Sequence, residues 1–365
     1  LSIFFVWNQE LFDAADFREV VSGRRRGPVA SVLRGVLRLG ETPYCLAMRR
    51  RNRGFESGRF AIHQVGARVV SVGNLSLGGT GKTPMVEWLA RWFLQLSKRT
   101  AIVSRGYKSK VGVLNDEGQE LSQKLPAVVH LQNPDRVAAA HQAVEQFNSQ
   151  IIILDDGFQH RRLYRDFDIV LLDALEPFGF GHVFPRGMLR EPLAGLARAD
   201  MAVLTRADMV NQTERTRIRT IVEQYAPGIA WAQCRHAPRG LLAADRHEES
   251  LDTLCGRRVA AFCGLGNPAG FRHTLNQCGY NVIGWREFPD HFIYNRDTVN
   301  ELAGWVDSLD AEFAVCTHKD LVKLAVNDLG GRPLRALWVG LEFLKGQTEL
   351  ESKLETVLTQ GQATK

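Results

Sequence analysis

The stretch "SVGNLSLGGTGKTPMVEWL", residues 71–89, constrains the fold more than any other part of this 365-residue chain. An apolar run, "ARVVSVG", leads into a glycine-rich turn. The chain then continues as "KTPMVEWLARWFLQL", whose apolar residues recur at helical spacing. A strand that breaks at glycines and re-emerges as a helix gathers free backbone N–H groups at the helix's positive end. In "SLGGTGKT", Gly81-Lys82-Thr83 closes the pattern GxxxxGK[ST], a Walker A phosphate loop. The pattern's first glycine falls on Ser76, and Gly78 and Gly79 supply flexibility inside the loop instead. Ser76, Leu77, Gly78, Gly79, Thr80, Gly81, Lys82 and Thr83 are therefore expected to wrap the phosphates of a nucleoside triphosphate such as ATP. Lys82 would reach the β- and γ-phosphates, and the Thr83 hydroxyl would bind Mg²⁺.

Such a loop needs an acid at the end of a second apolar strand. "IIILDDGFQ" supplies Asp155 and Asp156 at a strand's carboxyl end, where ligands gather in open α/β sheets. Two adjacent carboxylates repel each other unless a cation lies between them, so both are candidate metal residues.

From residue 66 onward, short apolar runs alternate with helical patterns: "ARVVSVG", "TAIVSRG", "SQIIILDD", "FDIVLLDA" and "ADMAVLTRAD" read as strands. Runs without polar alternation are buried on both faces, so the expectation is an α/β fold with a P-loop NTPase-like parallel sheet. A polar connection near 236–256 precedes a second alternating set, "RRVAAFCGLG", "YNVIGWREF", "AEFAVCTHKD" and "LRALWVGLEF". The expected organisation is an N-terminal amphipathic helical region (1–60), a P-loop domain (61–235) and a smaller C-terminal α/β domain (236–365) closing a cleft.

Charge placement says more than net charge, which is +6. Between Arg18 and Arg59 there are eleven arginines against three glutamates. Within 28–53, Val29, Val32, Leu33, Val36 and Leu37 fall at helical spacing with Arg34 and Arg38 on the other side. That pattern suits either an ordinary packed helix or one lying on an anionic leaflet. No apolar run reaches the roughly 18 residues of a membrane span. The opening "LSIFFVW" lacks a basic leader and is not read as a signal peptide. Six scattered cysteines without a CxxC pair point to reduced thiols and a cytoplasmic setting. The arginines are not interleaved with aromatic stacking residues, so nucleic acid is not an expected partner.

Further motifs occur in a fixed order: "VGNLSLGGTGKTP", "SRGY", "LDDGFQHRRLYRDFDIVLLDA", "FPRGMLREPLAGLARAD", "FCGLGNPAGF", "FPDHFIY" and "THKDLVKL". In this order the chain resembles the tetraacyldisaccharide 4'-kinases, from about residue 30 to 345. The resemblance implies transfer of the ATP γ-phosphate to the 4'-hydroxyl of a tetraacyldisaccharide 1-phosphate, giving lipid IVA in lipid A biosynthesis. It implies a glycolipid substrate, a peripheral position on the cytoplasmic face of the inner membrane, and no obligate protein partner. That substrate favours the interfacial reading of the 28–53 helix.

By the same resemblance the catalytic aspartate of a "GDEP" block falls on Asp116 in "NDEGQE", where Asn115 and Gly118 replace glycine and proline. The first histidine of a "DHH" block falls on His291, with Phe292 in the second position. Arg105 of "SRGY" would neutralise the transferring phosphate. Arg161 and Arg162 would face the acceptor's 1-phosphate or solvent, and Arg190 and Glu191 would shape the acceptor side, Glu191 as an outer-shell Mg²⁺ residue. Two other classes share the nucleotide motifs. A GTPase or ATPase switch would use "TRAD" or "THKD" to read guanine. A kinase of a soluble sugar or nucleoside would need no lipid.

Overall fold

Apolar runs become interior strands because only a sheet covered on both faces can bury them. The structure, a computed structural model, describes residues 14–106, 116–245, 247–265, 268–289 and 292–359. Two N-terminal helices, α1 (Ala14–Val21) and α2 (Pro28–Glu56), lead into an alternating series: β1 (Arg68–Asn74), α3 (Lys82–Gln95), β2 (Thr100–Ser104), α4 (Asp116–Lys124), β3 (Val129–Gln132), α5 (Arg136–Phe147) and β4 (Ile151–Asp155). Then follow β5 (Phe167–Asp173), β6 (Met201–Thr205), α6 (Gln212–Tyr225) and β7 (Ala230–Leu242). The remainder is β8 (Glu248–Glu249), β9 (Arg258–Cys263), α7 (Pro268–Gln277), β10 (Asn281–Glu287), α8 (Arg296–Ser308), β11 (Phe313–Thr317), α9 (His318–Leu324), β12 (Asp328–Leu329), β13 (Arg332–Lys345) and α10 (Gln347–Thr359).

The strands join one sheet in the order β10-β9-β11-β13-β7-β6-β5-β1-β4-β2-β3. Among the described residues every neighbouring pair along that path is parallel except β13 with β7. The α/β class expected from the apolar runs is therefore the fold observed. After β1 the chain runs outward to β2 and β3, returns through β4, and then crosses to β5 on the other side of β1. That reversal opens a crevice at the carboxyl end of β1, where the glycine-rich loop sits.

The first part of the stretch expected as a polar connection near 236–256 is in fact the second half of β7, which runs to Leu242. Its polar residues are tolerated because β13 supplies an antiparallel ladder, and Arg235 pairs across it with Glu342 at 2.8 Å. Through this seam the two parallel halves share one continuous sheet. The last helix then returns to the first half: Leu350, Leu354 and Val357 of α10 pack in the cluster that holds Met85, Leu89 and Phe93 of α3. Leu354 is fully buried there. Leu354→Ala should cost about 2–5 kcal/mol, read as a lowered urea midpoint. A change under about 1 kcal/mol would show that α10 does not complete this core.

Candidate functional site

An amide-lined loop can bind phosphate only if its carbonyls are turned away and given other partners. Here they are. The Asn74 side-chain amide donates to the carbonyls of Ser76 at 2.9 Å and Gly78 at 3.5 Å. The Arg206 guanidinium donates to Gly79 O at 2.9 Å, and the Thr205 hydroxyl to Thr80 O at 3.0 Å. Strand-like bonds fix the loop's first limb: Leu77 N–H donates to Met188 O and Arg190 N–H to Leu75 O, each at 2.7 Å. Ser76 is buried beside Leu189, whereas Leu77, Gly78 and Gly79 are exposed.

Gly81 ends the loop at φ +82 and caps α3 without a side-chain bond, leaving the first-turn amides open. A Cβ at Gly81 would lie 2.6 Å from His236 Nε2, so both backbone and space require glycine. Burial, with Arg206 nearby, pushes the His236 imidazole down to about 3, so it is neutral near pH 7.

The charges converge on Asp156. Lys82 Nζ lies 3.5 Å from its carboxylate, and Arg190 Nη1 reaches both oxygens at 3.0 and 2.8 Å. Burial opposes ionisation of Asp156, but Lys82 and Arg190 outweigh it and hold the carboxyl well below its ordinary range. Asp156 adopts φ +51, a left-handed conformation that aspartate tolerates better than most residues. The Arg136 guanidinium fixes that turn by donating to Asp156 O at 2.7 Å and Asp155 O at 3.3 Å. Asp155 ends β4, paired in register with Val72 of β1, which sets it beside the loop.

The other expected site residues take distinct places. Thr83 follows Lys82 in the first turn of α3, and Arg105 is exposed just beyond β2. Glu191 is 1% exposed. One of its oxygens accepts from Gln159 and Arg198 at 3.0 and 2.9 Å, the other from Asn52 at 3.0 Å. Its carboxylate thus braces Gln159, which also donates to Asn74 O at the foot of the loop. Asp116 is the first residue of α4, and only its backbone position is described. His291 lies outside the described residues.

Three features were not singled out from sequence: the Asn74, Thr205 and Arg206 braces, the Arg190 fork on Asp156, and the anchoring of α4. In the last, Lys124 bonds Glu120 at 2.8 Å and Glu87 of α3 at 3.2 Å, while His318 of α9 lies 3.6 Å from Glu120. The "TRAD" and "THKD" acids are engaged within the chain. Asp208 meets His273 at 3.2 Å. Asp320 is fully buried and accepts from Gly264 N–H, the Tyr294 hydroxyl and the Thr317 hydroxyl. Neither carboxylate is open to a guanine ring.

A parallel sheet with a GKT loop at its switch point and paired acids on the adjacent strand defines a P-loop nucleotide-binding α/β protein. Comparison with known proteins is more specific. The chain belongs to the tetraacyldisaccharide-1-P 4'-kinase family, whose model matches residues 33–359. It is 38% identical over 353 residues to the tetraacyldisaccharide 4'-kinase of Anaeromyxobacter sp. (strain K), covering 92% of this chain and 93% of that one. The corresponding kinase of Desulfatibacillum aliphaticivorans is 36% identical over 371 residues, covering 93% and 98%. Among solved structures, LpxK from Aquifex aeolicus in complex with ATP superposes with a TM-score of 0.71 at 32% identity, over 89% of this chain and 99% of that one.

The carbonyl braces make a direct test of the loop. Thr205→Val keeps shape but leaves Thr80 O without its donor, an omission worth about 1–3 kcal/mol. A non-hydrolysable ATP analogue should bind roughly 5- to 100-fold more weakly. Unchanged affinity by calorimetry would remove Thr205 from the loop's support.

Proposed function

We propose that this chain transfers the γ-phosphate of ATP to the 4'-hydroxyl of a membrane-embedded tetraacyldisaccharide 1-phosphate. The observation that carries the reading is Lys82 converging with Arg190 on Asp156 beside an amide-lined loop, in a chain of this kinase family. In-line displacement needs positioning and charge neutralisation more than covalent help from the protein. The loop amides and Lys82 would grip the β- and γ-phosphates, and Arg105 would meet charge spreading over the transferred group.

The donors Thr83, Asp155 and Asp156 form an all-oxygen set suited to a hard cation and would hold Mg²⁺, which would supply neutralisation of phosphate charge. Asp116 would accept the proton of the 4'-hydroxyl as its oxygen bonds the γ-phosphorus and the bond to the β-phosphate oxygen breaks, releasing ADP. His291 would orient Asp116 from the second half of the chain. Glu191 would act only at a distance, through Gln159 and Arg198. Residues 236–365, joined to 61–235 through the β7–β13 seam, would act as a smaller unit facing the phosphate loop, and closure of a cleft between them would exclude water.

The acceptor's acyl chains resist leaving the bilayer, at about 0.8 kcal/mol per exposed CH₂, so the enzyme must meet them at the surface. Helix α2 suits that task. Val29, Val32, Val36, Leu39 and Leu46 lie on one stripe and are 57 to 78% exposed. Its opposite face is bonded to the catalytic loops: the Tyr44 hydroxyl donates to Arg190 O at 3.0 Å, and Glu41 accepts from Val183 N–H and Arg186. No helix among the described residues is long and apolar enough to cross a membrane. We therefore place α2 in the interface of the inner membrane's cytoplasmic face.

Two experiments test this. Incubation with γ-labelled Mg-ATP and the acceptor in mixed micelles should label the disaccharide lipid. Lys82→Ala should abolish labelling, and Asp116→Ala should lose at least 100-fold in turnover while still binding nucleotide. Labelling by Lys82→Ala at the parental rate would overturn the kinase reading. Separately, Val32→Glu with Leu39→Glu should weaken partition onto anionic vesicles by 10-fold or more, and equal partition would count against an interfacial α2.

A further inference from the structure

Two polar atoms closed to solvent flank the last glycine of the phosphate loop, and neither has a hydrogen-bond partner among the described residues. One is the hydroxyl of Thr80, a residue 2% exposed, and the other is Nε2 of His236. The geometry around Gly81 sets them near each other. A Cβ at Gly81 would stand 2.6 Å from His236 Nε2 and 3.7 Å from the Thr205 methyl group, while the Thr205 hydroxyl donates to Thr80 O at 3.0 Å. Thr80, Gly81, Thr205 and His236 thus enclose one small space beneath the loop. Gly78 and Gly79 are exposed on its outer side, where phosphate is met by backbone amides. The Thr80 hydroxyl, closed to solvent, lies on the protein side.

The sheet explains how an imidazole comes to lie there. Leu204 of β6 pairs in parallel with Gln233 of β7, and β6 ends at the next residue, Thr205. Strand β7 continues to Leu242 and carries His236 past that end, to the level of the loop. There His236 also stands opposite Leu341 of β13, within the seam that joins the two halves of the sheet. Burial and the neighbouring Arg206 guanidinium keep the ring neutral, so one of its nitrogens is an acceptor. A hydroxyl and a neutral imidazole nitrogen are complementary, and burying both without a bond between them is costly.

We infer that His236 is a positioning residue for the phosphate loop: as the loop closes on phosphate, the Thr80 hydroxyl donates to His236 Nε2. The bond acts on the phosphates only through the loop. It fixes the backbone at Thr80 and Gly81, immediately ahead of Lys82, and holds it to the strand that carries the seam with β13. Nucleotide binding is thereby felt at the seam as well as at the loop. The assignment rests on nucleotide binding by the loop and is independent of the acceptor.

A double-mutant cycle on the full-length chain tests it, with a non-hydrolysable ATP analogue and Mg²⁺ titrated by calorimetry. Thr80→Val and His236→Phe each keep shape and remove one partner, and each should weaken binding roughly 5- to 30-fold. Because both delete the same bond, the double variant should bind about as weakly as either single one. Thr80→Ser keeps the hydroxyl and should stay within about 3-fold of wild type. Losses that multiply in the double variant, or a Val or Phe variant that binds like wild type, overturn the assignment. Urea midpoints without nucleotide should match wild type; midpoints lowered in step with affinity would mean a merely structural role and also overturn it. A second measurement needs no variant. With ¹⁵N-labelled histidine, His236 Nε2 should read as an unprotonated nitrogen and move upfield when the analogue is added, and an unmoved resonance overturns the bond. Failure of wild type to bind the analogue would take the kinase reading down as well, whereas multiplying losses on normal wild-type binding remove His236 alone.

Discussion

Turning the carbonyls of Ser76, Gly78, Gly79 and Thr80 away from the phosphate site is the constraint on which this molecule depends. A loop that shows its N–H groups to an anion must hide its carbonyls, and hidden carbonyls need donors. The chain recruits them from the ends of two strands: Asn74 at the end of β1, and Thr205 and Arg206 at the end of β6. Arg206 is itself held by the Asp173 carboxylate at the end of β5. The parallel sheet is therefore more than a scaffold for burial. Because adjacent strands all end on the same side, each can send one side chain beneath the loop. An antiparallel arrangement would carry half of those side chains away.

The same logic separates what was legible in the sequence from what was not. The strand, loop and helix around Gly81 occupy nineteen consecutive residues, and local periodicity and glycine placement encode them fully. Buried strands announce themselves because a two-sided interior tolerates few polar residues. Strand β7 does not, since its register with β13 lets Gln233 and Arg235 stand within a ladder. The Arg190 fork on Asp156 spans 34 residues and the Tyr44 bond to Arg190 spans 146, distances at which no spacing rule operates. "TRAD" shows the limit most clearly. Read locally it suggests a base-recognition element, yet its Thr and Arg support the phosphate loop from below, and only the fold reveals which.

Glu191 illustrates how a residue's neighbourhood can be legible when its bonds are not. Its acidity and its place in "MLREP" suggested a metal's outer shell; what the fold adds is that its oxygens are bonded to Asn52, Gln159 and Arg198. It links α2, the catalytic turn and the following segment through one buried charge. Since Asn52 belongs to α2, the helix we place on the membrane is fastened to the phosphate site by the same carboxylate that braces the loop.

A comparable device operates on the opposite flank. Lys124 is held between Glu87 of α3 and Glu120 of α4, with His318 of α9 completing the group. Burial disfavours the charges on Glu120 and Lys124. Even so, Lys124 and His318 keep the Glu120 carboxyl well below its ordinary range, and the two glutamates keep the Lys124 amine above its own. Removing one member would strand the others, at a cost of about 3–5 kcal/mol. Helix α3 begins at Lys82, α4 begins at Asp116, and α9 belongs to the second half of the sheet. One buried ion group thus fixes the helix that starts at the phosphate loop, the helix that starts at the proposed base, and the half that carries His291.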